Sequence, residues 1–370
     1  MIFFVAFSVV YVFFLLWARL MWGRIQPASD QGVSEYASFS VVVPVRNESE
    51  NILKLLEDLE SQDYPKSQFE VVVVDDNSED NTMDLVTDYL DTSSLTHRLL
   101  SLGDLDLQGK KFAITEAVQS SKNDYILTID GDCRVGTQWI KAYNEAYQIK
   151  KPMMVTGPVK MNHPDFFTKL QAGEFAGLIM IGASSLYSGN PSMCNGANLS
   201  YQREAFMEVD GYKGNEHIPS GDDEFLLQKI FKAYDRKVMF LKDQRAIVST
   251  DAKQSFLALL NQRIRWSSKW KFHKSFFIKL LALFIFLNYL ALFVGVIEGI
   301  SNQQYLLVAV IFVVRWITLW YFSVPITQFL GIKNVLGVSL VIEIIYPFFV
   351  TFLGIASIFG KYSWKGRYYS

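Results

Sequence analysis

Two kinds of hydrophobic pattern divide this chain. At the two ends lie long, nearly unbroken apolar runs. Residues 1–16 carry no charge, and the run reaches Trp17 before Arg19 interrupts it. Residues 276–297, 305–322 and 335–359 form three more such runs. Each approaches the roughly 20 apolar residues that a helix needs to cross a bilayer. Between the ends the pattern changes: short β-branched runs alternate with stretches in which apolar residues recur at helical spacing.

Residues 39–45, Phe-Ser-Val-Val-Val-Pro-Val, predict a strand whose pairing ends at Pro44. Arg46-Asn47-Glu48 then reads as a turn, with Asn47 capping a helix and Glu50 completing the capping box. Ile52, Leu53, Leu55, Leu56 and Leu59 carry that helix, and Tyr64-Pro65 stops it. Residues 69–74 are apolar enough to be buried on both faces, as a parallel strand is, and they run into Asp75-Asp76-Asn77-Ser78. A helical stretch, a strand at 98–102 and a helix opened by Gly109-Lys110-Lys111 follow. Next comes a strand at 125–129 that ends in Asp130-Gly131-Asp132-Cys133. Repeated strand–helix units imply crossover connections and a parallel sheet. Strand C-termini and helix N-termini share one edge of such a sheet. Asp75, Asp76, Lys110, Asp130 and Asp132 are therefore expected to converge on one crevice, the place where open α/β sheets bind ligands.

Composition narrows the function classes. Half of the 370 residues are hydrophobic and 15% are aromatic, with the excess at the ends, which points to membrane segments. A formal charge of −2 gives no electrostatic ground for nucleic-acid binding. Two cysteines, Cys133 and Cys194, make neither a disulfide framework nor a zinc pattern. The first apolar run reads as an uncleaved anchor rather than a signal peptide, because its basic residues follow it and no small-residue cleavage site is evident. Arg19 and Arg24 then put the next segment on the cytoplasmic side. Residues 26–38, polar and with Pro27 and Gly32, read as a linker.

Three constellations carry chemistry. Asp130 and Asp132 repel each other unless a cation with oxygen ligands lies between them; the plainer reading is an Asp-Gly turn. Asp222-Asp223-Glu224 opens a helix, where acids also serve simply to balance the helix dipole. In Gln262-Arg263-Ile264-Arg265-Trp266, helical spacing puts Gln262, Arg265 and Trp266 on one face; the basic and aromatic residues there also suit a membrane surface. A strand is expected at 154–159. Residues 166–186, interrupted by Lys169 and Glu174, read as a buried or membrane-facing helix. Residues 195–200 read as a turn and strand, either under an acceptor pocket or purely structural. His217 has no assigned role.

Val43-Pro44-Val45-Arg46-Asn47-Glu48, Val74-Asp75-Asp76-Asn77-Ser78, Gly109-Lys110, Asp130-Gly131-Asp132, Gly221-Asp222-Asp223 and Gln262-x-x-Arg265-Trp266 resemble, in order, the motifs of inverting family 2 glycosyltransferases. The resemblance implies a GT-A fold, which is Rossmann-like with a mostly parallel sheet and here is flanked by transmembrane helices. It also implies a nucleotide-diphospho-sugar donor, most often a uridine nucleotide. Pro44, Asn47, Glu48, Asp75, Asp76 and Lys110 would then line the nucleotide site, with Asp76 at the base. Asp130 and Asp132 would hold Mn2+ or Mg2+ and the diphosphate. Asp223 would be the catalytic base. Asp222 stands where the family has Glu, which leaves the choice of base open between these two. Gln262, Arg265 and Trp266 would serve the diphosphate and the acceptor end.

The expected organisation is an anchor at 1–24, a linker at 25–38, a GT-A domain at 39–272 and a membrane region at 273–370. The expected activity is transfer of one sugar to a hydroxyl of a membrane lipid at the cytoplasmic face of a multi-pass protein. The alternatives are a processive polysaccharide synthase and a non-catalytic membrane-anchored scaffold. The third C-terminal run holds Glu343 and Pro347 and reads either as one span or as a re-entrant hairpin. A single span would put Lys361, Lys365 and Arg367 outside, against the positive-inside rule.

Overall fold

The computed structural model describes residues 1–370 apart from 28–34, 217, 219, 235, 360, 361, 366 and 370. His217, Lys361 and half of the expected linker, residues 28–34, therefore lie outside the described residues. In chain order the elements are α1 (Ile2–Arg24), β1 (Phe39–Val45), α2 (Ile52–Glu60), β2 (Phe69–Asp75), α3 (Thr82–Thr92), β3 (His97–Ser101), α4 (Lys110–Ser120), β4 (Tyr125–Thr128), β5 (Arg134–Val135), α5 (Trp139–Lys150), β6 (Met154–Thr156) and β7 (Val159–Asn162). They continue with α6 (Phe166–Tyr187), β8 (Leu199–Gln202), α7 (Arg203–Glu208), α8 (Asp222–Ala233), β9 (Val238–Phe240), β10 (Val248–Asp251), α9 (Phe256–Ser267), α10 (Phe276–Ser301), α11 (Tyr305–Phe329), α12 (Val335–Phe359), β11 (Tyr362–Trp364) and β12 (Arg367–Tyr369). They form two compact units.

The first unit, Ile25–Lys160 with Met193–Asp251, is an α/β layer structure. Its main sheet runs β3-β2-β1-β4-β8-β6-β9. All neighbours are parallel except β8, which is antiparallel to both β4 and β6. Every residue of β1 and β2 is buried, as two central strands covered on both faces require. The chain moves outward from β1 to β3 and then returns to β4 on the other side of β1. The strand order therefore reverses between β1 and β4, which opens a crevice at their C-terminal ends.

Pro44 does not end the pairing of β1: Pro44 and Val45 still face Val74 and Asp75 of β2. Val42 accepts from the N–H of Ile129 at 3.1 Å, and β4 pairs no further. Alternation turns the position of Pro44's missing N–H to that same side, past the last β4 partner, so no ladder bond is lost. Asn47 is not a helix cap either. α2 starts at Ile52, and Asn47 sits at φ 52° with its Oδ1 accepting from the N–H of Glu79 at 2.8 Å. Asparagine tolerates that left-handed backbone, and here its amide ties the first turn to the turn after β2.

The second unit, Met1–Arg24 with Met161–Ser192 and Ala252–Ser370, is helical. α1, α10, α11 and residues Val335–Ser357 of α12 are long and apolar enough to cross a membrane. α1 runs antiparallel to α10: Phe4 fills the space beside Gly295 and Phe14 meets Phe284. α6 joins this unit, with the Ser184 hydroxyl donating to the Ala18 carbonyl at 2.8 Å. The charges that interrupt the apolar runs find partners inside it. Glu174 pairs with Arg263 at 2.7 Å and Glu343 with Arg315 at 2.6 Å. Residues 335–359 form one continuous helix with Pro347 inside it, not two short arms. Leu353 of α12 packs on Ile264 of α9, and β11 also lies against α9.

Candidate active site

The crevice between the ends of β1 and β4 is built by three turns that hydrogen-bond to one another. At the end of β2, the Asp75 carboxylate accepts from the N–H of Ser78 at 3.1 and 3.2 Å, which closes the turn. Asp76, 2% exposed, has its N–H on the Val45 carbonyl at 2.8 Å and its Oδ1 on the N–H of Gly109 at 2.7 Å. Arg46 locks the first turn to the second by donating to the carbonyls of Asp76 (2.9 Å) and Asn77 and to Glu79 (2.7 Å). Glu48 is buried, and its N–H donates to the Thr82 hydroxyl at 2.8 Å. Pro44 is buried inside β1.

Gly109 has φ +107°, a conformation L side chains rarely adopt, and it turns the chain into α4 directly at Lys110. The Lys110 ammonium lies 2.6 Å from Asp130 and 3.2 Å from Asp222. Burial alone would lower its pKa. Asp130 and Asp222, with a smaller contribution from Asp223, outweigh that and hold it above its ordinary value. Lys111 turns the other way and donates to the Asn215 and Ile218 carbonyls at 2.6 and 2.9 Å, which fastens the segment before α8. The two lysines that stand together in the sequence therefore separate into a site residue and a structural one.

Asp222, Asp223 and Glu224 form the first turn of α8. Asp223 accepts from the N–H of Gly196 (3.1 Å) and from that of Glu224 (2.8 Å). The Gly196 carbonyl in turn accepts from the Thr128 hydroxyl of β4 at 2.9 Å. A Cβ on Gly196 would stand 2.7 Å from an Asp222 oxygen and 3.3 Å from the Lys110 ammonium. The loop is held from below by Asn198. Its amide accepts from Trp139 (3.0 Å) and Tyr143 (2.7 Å) and donates to the Pro158 (2.7 Å) and Ala246 (2.8 Å) carbonyls. Thr128 is not among the expected site residues, whereas Gly196 and Asn198 fall in the 195–200 stretch, read as a turn and strand either under an acceptor pocket or purely structural.

Asp76, Lys110, Asp130, Asp222 and Asp223 are thus brought together on one sheet edge. Asp132 adjoins them and accepts from the Cys133 thiol at 3.6 Å; burial, with Asp132 and Asp130 beside it, pushes that thiol's pKa up. Asn47, Glu48 and Asp75 shape the surrounding turns. Gln262, Arg265 and Trp266 lie on α9 in the helical unit.

The donor set fits a hard divalent cation. Three carboxylates, Asp130, Asp222 and Asp223, act on the Lys110 ammonium, and with Asp132 two residues from Asp130 the acids here outnumber that cation. Asp130 and Asp132 offer oxygen ligands, which Mg2+ and Mn2+ prefer. Among the described residues no group of three acidic, histidine or cysteine ligands is gathered to hold a metal. The remaining ligands would therefore be phosphate oxygens and water, the usual arrangement for Mg2+ at a diphosphate.

Residues 40–210 match the family model described as Glycosyl transferase family 2. Glycosyltransferase AglE of Haloferax volcanii is 33% identical over 144 residues, 36% of this chain and 46% of that protein. Beta-monoglucosyldiacylglycerol synthase of Trichormus variabilis is 24% identical over 234 residues, 62% of this chain and 48% of the synthase. The chain thus spans less than half the length of these curated relatives. Among solved structures, the mannosyltransferase PcManGT from Pyrobaculum calidifontis, in complex with GDP-Man and Mn2+, aligns over 96% of this chain and 97% of its own. Its TM-score is 0.60 at 15% identity, a likeness of fold. The α/β architecture with a mostly parallel sheet is accordingly GT-A-like, as the motifs imply. Residues 40–210 are thus a glycosyl transferase family 2 domain.

Proposed function

We propose that this protein is an inverting glycosyltransferase that moves one sugar from a nucleotide-diphospho-sugar, a UDP-sugar by family analogy, to a hydroxyl of a membrane lipid. The observation that carries the reading is the gathering of Asp130, Asp222 and Asp223 around Lys110 at the switch point of the sheet. In this reading Asp76, buried under the turn after β2, meets the base, and Lys110 faces the diphosphate. A divalent cation bound by Asp130 and Asp132 would offset charge on the departing diphosphate. Asp223 takes the proton from the acceptor hydroxyl as it attacks the sugar from the face opposite the leaving group. The N–H groups of Gly196 and Glu224 hold its carboxylate in one orientation, and Asp222, held by Lys110, stays beside it. By the motif resemblance alone, Arg265 would serve the diphosphate and Trp266 the acceptor end.

The lipid acceptor is supported by the four apolar helices and by the relative named for a glucosyldiacylglycerol. Arg19 and Arg24 favour a cytoplasmic transferase segment at 39–272 of a multi-pass protein.

The test incubates the full chain with UDP-glucose, UDP-N-acetylglucosamine and GDP-mannose, total lipid extract and Mn2+ or Mg2+, and identifies products by mass spectrometry. A glycolipid is expected, and Asp223→Asn should still bind donor but lose transfer by about a hundredfold or more. Normal turnover by Asp223→Asn would remove that residue as the base. A long water-soluble polymer as product would replace the lipid reading with a polysaccharide synthase.

A further inference from the structure

α9 carries a second arginine between Gln262 and Arg265, and its surroundings differ from those of an interfacial cation. Arg263 is 4% exposed. Its Nε lies 3.1 and 3.2 Å from the two oxygens of Glu174, and its Nη2 lies 2.7 Å from Oε2. Its Nη1 donates to Gln262 Oε1 at 2.6 Å. The guanidinium also sits over the Trp266 ring, 4.4 Å from its centroid, and Phe175, next to Glu174, brings its own ring to 5.7 Å from Trp266. One buried group therefore grips two members of the Gln-x-x-Arg-Trp motif, and a carboxylate on α6 holds that group in turn. Anchoring α9 alone would not require this, since Ile264 against Leu353 already packs the same helix through apolar contact. A buried guanidinium is costly unless its donors are met, and here Glu174 and Gln262 of the motif meet them.

We infer that Arg263 and Glu174 are positioning residues for glycosyl transfer: they set the side-chain geometry of Gln262 and Trp266 without touching substrate. The inference rests on the reading above, in which the motif serves the diphosphate and the acceptor. Arginine is needed because its planar fork can span a carboxylate, an amide and a ring face at once. Lysine keeps the charge but offers a single point of contact. Glutamine at 174 keeps the shape and removes the charge.

The test uses the full chain in lipid nanodiscs, with whichever donor of the panel above the unsubstituted protein turns over, plus lipid extract and Mn2+. Arg263→Lys and Glu174→Gln should lower kcat by about ten- to a hundredfold, the scale of a small misplacement of reacting groups, with donor KM changed less than about threefold. The double variant should be no worse than the poorer single one, because both changes break one unit. A second readout needs no turnover: the Trp266 emission, taken as the difference from Trp266→Phe, should shift in Glu174→Gln. Arg265→Ala and Trp266→Ala test the underlying reading. Loss of transfer in those two, with normal kcat and unmoved Trp266 emission in Arg263→Lys and Glu174→Gln, overturns the positioning role and leaves the motif's role intact. Normal transfer in Arg265→Ala and Trp266→Ala overturns both. Activity lost only in proportion to folded protein, with Trp266 emission unmoved, also overturns the inference in favour of a structural ion pair.

Discussion

Breaking the ion pair inside the helical unit should cost far more than deleting it whole. Arg315 of α11 and Glu343 of α12 are both 0% exposed and lie 2.6 Å apart. Arg315 also donates to Asn288 of α10 at 2.9 Å and to Ser8 of α1 at 3.5 Å, and it sits 4.2 Å from the Tyr11 ring centroid. One guanidinium therefore joins the four candidate spans. Glu343→Gln keeps the volume and removes the counter-charge. The guanidinium cannot shed its proton, so it stays charged, buried and uncompensated. Loss of one partner from such a pair costs about 3–5 kcal/mol. Neutral hydrogen bonds between membrane helices average only about 0.6 kcal/mol, because the separated helices find other partners in the bilayer; a lone cation has no such substitute there. Arg315→Met with Glu343→Leu removes both charges and should fall within about 1 kcal/mol of the parent. Reversible unfolding by SDS titration in mixed micelles, run as a double-mutant cycle, measures this directly. A Glu343→Gln cost under about 1 kcal/mol, or a double variant as unstable as the single one, would refute the reasoning.

Three further outcomes follow from the α/β unit. Gly196→Ala should leave the fold intact but reduce transfer at least about tenfold, because its Cβ would stand 2.7 Å from Asp222 and disturb the Lys110 network; unchanged turnover would separate that loop from catalysis. Asn198→Ala removes an amide with two donors and two acceptors around it and leaves those groups buried, so denaturant titration should register a loss of about 3 kcal/mol or more. Glu60 is held down at about 2, first by the Tyr89 hydroxyl at 2.7 Å and then by the N–H of Ser94 at 2.9 Å, against an opposing effect of burial. Because its folded value lies below the unfolded one, its stabilisation is present above about pH 4.5 and fades as the pH falls toward 2. Glu60→Gln should therefore cost about 1–2 kcal/mol at pH 7, allowing for solvent screening, and almost nothing near pH 2.

The sequence by itself determined the sheet core and its loaded edge. The all-apolar runs of β1 and β2 can only be buried, and the acids that follow β2 and β4 must leave the sheet together, because strand period and turn chemistry are local properties. The same local logic failed where one residue had two possible partners. Asn47 carries the signature of a helix cap, yet its amide is taken by a turn 32 residues away. Glu174 and Glu343 look like interruptions in apolar helices until Arg263 and Arg315, 89 and 28 residues distant, are packed against them. Lys110 and Lys111 are adjacent and chemically identical, and only the fold sends one to Asp130 and Asp222 and the other to backbone carbonyls. The tertiary structure made these choices because the strength of a polar pair depends on separation and on exclusion from water, and both are set only once distant elements pack.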